Sequence, residues 1–287
     1  MRRRAFLGGG LALVAGCGTS ARTPDAQPQR IVALGYGRDA DTLTALGRIP
    51  VAVQRTSSRP NGFDPWLEAA LGAHRPQLLD AASEPPLEAI AALAPDLITA
   101  TSYYPIERFR HRLSEIAPVL GPADRPNTDD WRTTTTRVAR AVGVPDRAKT
   151  LIDQLDRQLN TVRTTTRQGR TYTFSSFHAG RVSVKCAPDD VQARTLAEFG
   201  LRLSPAIAAL PEGSTPGFAQ VSLEQLGILD ADLVLVVGRT GDQPVVRQAI
   251  AGLRGRLIQL SDAEAHALAF PSVLTLPYVV ETLLPRW

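Results

Sequence analysis

The chain is poor in the residues that build metal and disulfide scaffolds. Its 287 residues include two cysteines, four histidines and one methionine. Two cysteines exclude a disulfide-rich scaffold and a Cys-rich zinc or iron–sulfur site, and four dispersed histidines argue against a direct metal-ion binder. Lysine is also scarce, because only Lys149 and Lys185 occur and the remaining basic residues are arginines.

Motifs of common enzyme classes are largely missing as well. There is no G-x-S-x-G nucleophile elbow, and Ser, His and Asp are not grouped as a hydrolase requires. Residues 35–40 match G-x-G-x-x-A between a predicted strand and a predicted helix, and Arg55 and Arg59 follow the next strand. An exported NADP-dependent oxidoreductase therefore stays open as an alternative. We expect no enzymatic activity, since the rest of the chain lacks a coherent catalytic set.

Residues 1–16 are predicted to be a signal peptide. A basic start is followed by an apolar stretch over residues 6–15, about half of the ~20 residues that span a bilayer. Residues 3–7 fit the twin-arginine pattern R-R-x-F-L. Residues 14–17 resemble a bacterial lipobox, in which the cysteine sulfur, here Cys17, receives the lipid.

This N-terminus predicts an extracytoplasmic lipoprotein, acylated (palmitate) on Cys17 and held at the cell membrane by a tether over residues 17–29. Removal of the signal peptide takes away three arginines, so the net charge falls from +4 to about +1. We therefore expect no nucleic-acid partner.

Alternating strands and helices predict an α/β fold with two lobes, 30–127 and 169–287. Each lobe is expected to have a mainly parallel sheet flanked by helices. The predicted strands are 30–35, 51–54, 96–101, 171–187, 232–238 and 257–261. The predicted helices are 39–47, 86–94, 105–117, 190–200, 222–229, 243–253 and 276–284.

Residues 128–168 are predicted to be a helical linker between the lobes. Within it, residues 145–168 contain no glycine and place apolar residues on one face, which predicts a single long helix. Such a helix would restrict hinge motion more than flexible crossovers do. Trp131 is expected to anchor the core at the start of this linker.

One helix–strand unit occurs twice. Leu87-Glu88 and Asp96-Leu97 correspond to Leu223-Glu224 and Asp232-Leu233, offset by 136 residues without a gap. Two lobes of the same architecture explain the repeat most economically.

These features occur in an order that resembles the substrate-binding lipoproteins of iron–siderophore, haem and cobalamin ABC importers. The segments are the lipobox, PQRIVALG, LEAIAALAPDLI, the long helix and SLEQLGILDADLVLV. The resemblance implies a monomer with a ligand cleft between the lobes. It also implies capture of a ferric siderophore or similar iron chelate and delivery to an ABC permease dimer, with no cofactor. Haem or cobalamin binding, and an envelope interaction protein without a transport role, remain alternatives.

The resemblance also suggests site residues. Glu88 and Glu224 are predicted to dock one lobe each onto the permease. Aromatic and arginine side chains near predicted strand ends suit a bulky, partly planar, anionic ligand. His178 could alternatively ligate haem iron, whereas His266 is expected to be a surface or core residue. The candidate ligand contacts are Tyr36, Arg38, Arg55, Trp66, Tyr103, Tyr104, Phe177, His178, Arg181, Phe218 and Arg239.

Overall fold

The computed structural model describes residues 27–165, 169–178, 181–238, 248 and 250–287. The predicted signal peptide, Cys17 and tether residues 18–26 lie outside this part. Within it, no helix is long and apolar enough to cross a membrane. The last tether residues contact the first lobe, where the Gln29 backbone N–H donates to Asp96 Oδ2 at 2.8 Å.

The first half contains a five-stranded sheet, sheet A, in which every pair is parallel and the order is β3-β2-β1-β4-β5. Its central strands are continuous apolar or small-residue runs buried along their length, as expected for a parallel sheet covered on both faces. The strands are β1 (Ile31–Ala33), β2 (Ala52–Gln54), β3 (Gln77–Leu79), β4 (Leu97–Thr99) and β5 (Val119–Leu120).

Helices connect these strands and cover the sheet. The predicted helices of this half are confirmed with bounds two or three residues shorter at some ends, while the helix after β2 was not predicted. They are α1 (Arg38–Ala45), α2 (Pro65–Leu71), α3 (Leu87–Ala92), α4 (Ile106–Ser114) and α5 (Trp131–Ala141). Trp131 opens α5 and is 1% exposed, which confirms its role as a core anchor.

One long helix, α6 (Pro145–Thr165), joins the halves. Its 21 residues rise about 31 Å. At its start Arg147 Nε donates to the Ala45 carbonyl oxygen at 3.2 Å. Beyond its end Gly169 N–H donates to the Gly200 oxygen in the second half. The predicted interlobe helix is therefore confirmed over its described residues.

The second half contains sheet B, with the order β11-β10-β6-β7-β9 and β8 paired to β6. This sheet is mixed, because β7 runs antiparallel to both β6 and β9. A mainly parallel sheet was expected here, and the hairpin formed by β6 and β7 is the reason for the difference. The strands are β6 (Thr171–His178), β7 (Arg181–Lys185), β8 (Arg202–Leu203), β9 (Phe218–Val221), β10 (Leu233–Gly238) and β11 (Arg256–Gln259).

Helices also flank sheet B. The predicted helix 222–229 is a 3₁₀ helix over Leu223–Leu229, and the predicted helix 243–253 falls mostly outside the described residues. The α-helices in the described part of this half include α7 (Val191–Glu198), α8 (Pro205–Ala208), α9 (Asp262–Ala269) and α10 (Thr275–Thr282).

The sequence repeat has a structural counterpart. Asp96 and Asp232 each precede a central strand, β4 and β10. Asp96 accepts hydrogen bonds from the Gln29 and Arg30 N–H groups, and Asp232 Oδ2 accepts from the N–H and hydroxyl of Thr171. Each carboxylate thus holds the start of the neighbouring strand by hydrogen bonds, which explains the aspartate before the strand in both copies of the repeat.

The C-terminal segment makes a second connection between the halves. After α9 the chain returns to the first half, where the Ser272 hydroxyl donates to buried Asp41 Oδ2 at 2.7 Å. The Tyr278 ring packs 5.0 Å from the Trp66 ring. These contacts and α6 together fix how the two sheets face each other.

Candidate functional site

A cavity of about 370 Å³ lies between the two halves. One face of sheet B forms its floor, α7 and α9 form its sides, and two residues of the first half close it. Its lining residues are Tyr104, Asn127, Phe174, Ser176, Lys185, Val191, Gln192, Phe218, Val237, Ala265, His266, Ala269 and Phe270. Most of this surface is aromatic or aliphatic, which suits a ligand with a bulky apolar face.

Register explains why these residues share one face of sheet B. Ser176 lies opposite Ser183, and Lys185 lies opposite Phe218. Because side chains alternate along a strand, Phe174 and Ser176 face the cavity, and Phe177 faces the opposite side. One face of sheet B therefore contributes to the lining of the cavity.

Aromatic rings bridge the two halves at one end of the cavity. Tyr36 stacks on Phe270 with ring centroids 5.4 Å apart and an interplanar angle of 15°. Tyr104 lies 5.5 Å from Tyr36 and 6.4 Å from Phe270. The Tyr36 hydroxyl donates to the Ala82 oxygen at 2.9 Å, so its ring is held in place. Burial, and then the neighbouring Tyr104, raise the pKa of Tyr36.

His266 ties α9 to the first half. Its Nδ1 lies 2.8 Å from Asp64 Oδ2, and its Nε2 lies 3.1 Å from the Tyr36 carbonyl oxygen. The Asp64 carboxylate and the Tyr36 carbonyl are both hydrogen-bond acceptors, so the imidazole is held between two acceptor oxygens. Burial favours a higher pKa for Asp64. The hydrogen bonds from His266, Arg59 and Thr56 outweigh it and hold that pKa below the ordinary value.

Lys185 is the other basic side chain that lines the cavity. It forms an ion pair with Asp190, and its ammonium lies 4.5 Å from the centroid of the Phe218 ring. Asp190 also caps α7, because its Oδ1 accepts from the Ala193 N–H at 2.7 Å. The charge of Lys185 is therefore compensated within the protein.

A smaller cavity of about 180 Å³ adjoins the first, and His266 lines both. Tyr36 and Arg55 belong to its walls. Arg55 Nε lies 2.9 Å from Asp80 Oδ1, so this arginine also has a carboxylate partner. The described residues include no group of three or more His, Cys, Asp or Glu side chains arranged to hold a metal ion.

Four predicted ligand contacts lie in the core of the protein, where their side chains contact other parts of the chain. Arg38 is 1% exposed and its guanidinium donates to the Asp129 oxygen and to Asn127 Oδ1, while burial lowers its pKa to about 10. Trp66 is 8% exposed and donates to Asp41 Oδ2. Tyr103 and Phe177 are buried in apolar clusters.

The other predicted contacts have different placements. Tyr104 and Phe218 line the larger cavity, and Tyr36 and Arg55 line the smaller one. Arg181 is exposed at the start of β7. His178 ends β6, but its side chain and all of Arg239 lie outside the described residues. Of the two adjacent tyrosines, Tyr103 is 0% exposed and Tyr104 is 55% exposed.

The glycine-rich turn before α1 leaves no room for a pyrophosphate. A Cβ on Gly35 would lie 2.0 Å from Asp39 Oδ2, and the Asp39 carboxylate accepts from the Thr101 N–H and hydroxyl. This carboxylate fills the crevice between β1 and β4, where the strand order reverses. Burial raises its pKa to about 6. The geometry therefore argues against the NADP alternative.

Glu88 and Glu224 are both exposed at corresponding edges of the two sheets. Glu88 is the second residue of α3, which follows the carboxyl end of β3. Glu224 lies just after the carboxyl end of β9 and is the second residue of its 3₁₀ helix. In Glu224, hydrogen bonds from its own N–H and from Ser222 lower the pKa. Each of the two glutamates thus follows the carboxyl end of a strand in its own sheet.

Several site residues were missed from the sequence. Asn127, Lys185, Gln192 and Phe270 line the cavity but were not predicted, and His266 was set aside. One signal was available: Ser261 and Glu264 form a capping box, whose S-x-x-E pattern marks the start of α9.

Comparison with known proteins agrees with this geometry. Residues 31–254 match the family described as periplasmic binding protein. The comparison with curated protein sequences found no match. A periplasmic solute-binding protein from Mycobacterium smegmatis is 28% identical, with a TM-score of 0.72, covering 91% of this chain and 92% of that chain.

Two structures with bound ligands share the fold. PiaA of Streptococcus pneumoniae in complex with ferrichrome is 21% identical, with a TM-score of 0.74 and coverage of 91% of this chain and 93% of that chain. SirA of Staphylococcus aureus complexed with staphyloferrin B is 18% identical, with a TM-score of 0.71 and coverage of 91% and 94%. The family match spans most of the chain, and the chain therefore belongs to the periplasmic binding protein family.

Proposed function

We propose that the protein is the extracytoplasmic substrate-binding component of an ABC importer that captures a ferric siderophore or similar iron chelate. The observation that carries the proposal is the aromatic-lined cavity between two sheets joined by a long helix. Family membership supports an extracytoplasmic location and a solute-binding rather than enzymatic role. The ligands named for the structures from Streptococcus pneumoniae and Staphylococcus aureus, ferrichrome and staphyloferrin B, suggest the ligand class.

Lipid attachment and permease docking belong to the same proposal. Cys17 would carry the lipid, and the monomer would be tethered beside its permease. Glu88 and Glu224 would each meet one permease subunit, since exposed charges at an interface guide encounter and fix register. Their position at the carboxyl edges of the two sheets supports this assignment.

Ligand binding can be measured with the purified protein. The Trp66 ring lies 6.1 Å from His266, which lines the cavity, so a bound ferric chelate is expected to quench tryptophan fluorescence. A chelate at 100 times its Kd adds about 2.7 kcal/mol of stability, which raises the Tm of a domain of this size by roughly 5–10 °C.

A panel of ferric siderophores, haem and cobalamin should give quenching and a Tm increase for at least one ferric siderophore. Iron-free chelators serve as the matched control. A response to haem or cobalamin alone would replace the siderophore proposal with that ligand class. The absence of any response from folded protein would contradict the proposal.

A further inference from the structure

We propose that the cavity between the halves selects a ferric chelate without net negative charge over a trianionic one. This inference rests on the proposed function and adds the charge class of the ligand. It rests on the carboxylates of the protein that contact the basic side chains of the cavity wall.

Among the described lining residues, Lys185 and His266 are the basic ones, and each contacts a carboxylate of the protein. Lys185 is paired with Asp190, and both side chains are about four-fifths buried. The His266 ring is hydrogen-bonded to Asp64, whose side chain is 2% exposed. Buried charges that already have close partners offer little net attraction to an anion, and desolvating a trianion carries a large penalty.

The described charged side chains next to His266 are either acidic or paired with a carboxylate. Arg59 Nε lies 3.0 Å from Asp64 Oδ1, and Arg59 is not among the lining residues. On the other side of the histidine, Asp41 lies close enough for the two groups to influence each other. Lys185 is therefore the basic group whose compensation can be tested without disturbing the contact between the halves.

An uncharged hydrogen-bond donor is also present among the described lining residues. Gln192 lines the cavity, is 3% exposed, and its Nε2 has no hydrogen-bond partner in the described structure. A neutral amide donor and aromatic rings suit the carbonyl oxygens and apolar backbone of a neutral hydroxamate-type chelate.

The chain provides a matched pair of variants. Asp190→Asn removes the partner charge of Lys185 but keeps an oxygen that can cap α7, because asparagine is as good an N-cap as aspartate. Asp153→Asn removes the partner of Lys149, an exposed i,i+4 pair on α6 with N–O distance 2.7 Å. Both variants change the net charge by one, and only the first removes the partner of a side chain that lines the cavity.

The test is isothermal titration of the full protein with two ferric chelates. Ferrichrome is the neutral trihydroxamate probe, and a hexadentate iron(III) tricatecholate is the trianionic probe. The wild type should bind ferrichrome at least tenfold more tightly. Asp190→Asn should tighten tricatecholate binding about tenfold and change ferrichrome binding less than threefold, and Asp153→Asn should change neither.

Equal or tighter binding of the tricatecholate by the wild type would overturn the inference while leaving the proposed function intact. Equal effects of the two variants on tricatecholate binding would also overturn it, because bulk charge would then be the cause. If neither chelate bound to folded protein, the inference would fail, and the panel of ferric siderophores would then decide the proposed function separately.

Discussion

Two buried carboxylates, Asp41 and Asp64, should give the stability of the protein opposite pH dependences. Asp41 is 1% exposed, and burial raises its pKa to about 7 although Ser272 and Trp66 donate hydrogen bonds to it. A carboxyl group with a raised folded pKa contributes most stability below its unfolded pKa and loses it as pH rises through the folded value. The difference between this folded pKa and the ordinary value for aspartate corresponds to about 4 kcal/mol of folding free energy. About 3 kcal/mol of this contribution is lost between pH 5 and pH 8.

Asp41→Asn removes this titration and keeps an oxygen that can accept from Trp66. We expect the free energy of unfolding of the variant, relative to wild type, to rise by about 3 kcal/mol between pH 5 and pH 8. Asp64→Asn is the contrasting variant, because the pKa of Asp64 is held low. Its substitution should cost about 3 kcal/mol at pH 7, since Arg59 and His266 lose the carboxylate to which they are hydrogen-bonded. That loss should shrink as pH falls through the folded pKa of Asp64.

Urea denaturation of the three proteins at pH 3, 4, 5, 6, 7 and 8 measures these effects. Subtracting the wild-type curve cancels the titration of all other groups. If the relative stability of Asp41→Asn stayed constant or fell with rising pH, the description of Asp41 as a buried, poorly compensated carboxyl would be wrong.

Two further predictions concern docking and the contact between the halves. Glu88→Ala combined with Glu224→Ala should abolish uptake into cells while leaving the Kd for the chelate unchanged, and a loss of chelate binding in the double variant would refute the docking role. Asn127 has φ 57° and donates to the Ala269 oxygen at 3.1 Å, so Asn127→Gly keeps the backbone geometry and removes only the amide. We expect the free energy of unfolding, measured by urea denaturation, to fall by about 1–3 kcal/mol, because Arg38 and the end of α9 lose a hydrogen-bond partner. Chelate binding should also weaken, and an unchanged Kd would show that Asn127 does not shape the cavity.

The sequence predicts the architecture well because its strongest signals are local. Buried strands such as β1 and β10 are continuous apolar runs, and the long apolar face of α6 has the helical period. The antiparallel hairpin of β6 and β7 was missed because strand direction depends on a turn, which the pattern of apolar residues does not encode.

The site was harder to predict because it is assembled over long sequence separations. His266 contacts Tyr36 and Asp64, about 200 residues away, and neither pairing leaves a periodic trace. Arginines near strand ends were expected to bind the ligand, but Arg38 is used inside the protein to hold the segment around Asn127. Residue type predicted the chemistry of the region, while packing decided which side chains reach the cavity.

The central claim, that a ferric chelate binds in the cavity between the halves, can be tested by filling that cavity. Ala265 on α9 lines it, whereas Ala197 on α7 faces solvent. In a titration with the ferric chelate that binds the wild type, Ala265→Trp should abolish binding, while Ala197→Trp should bind with unchanged Kd and both variants should stay folded by circular dichroism. Wild-type affinity in folded Ala265→Trp would contradict the account, because the chelate would then bind elsewhere.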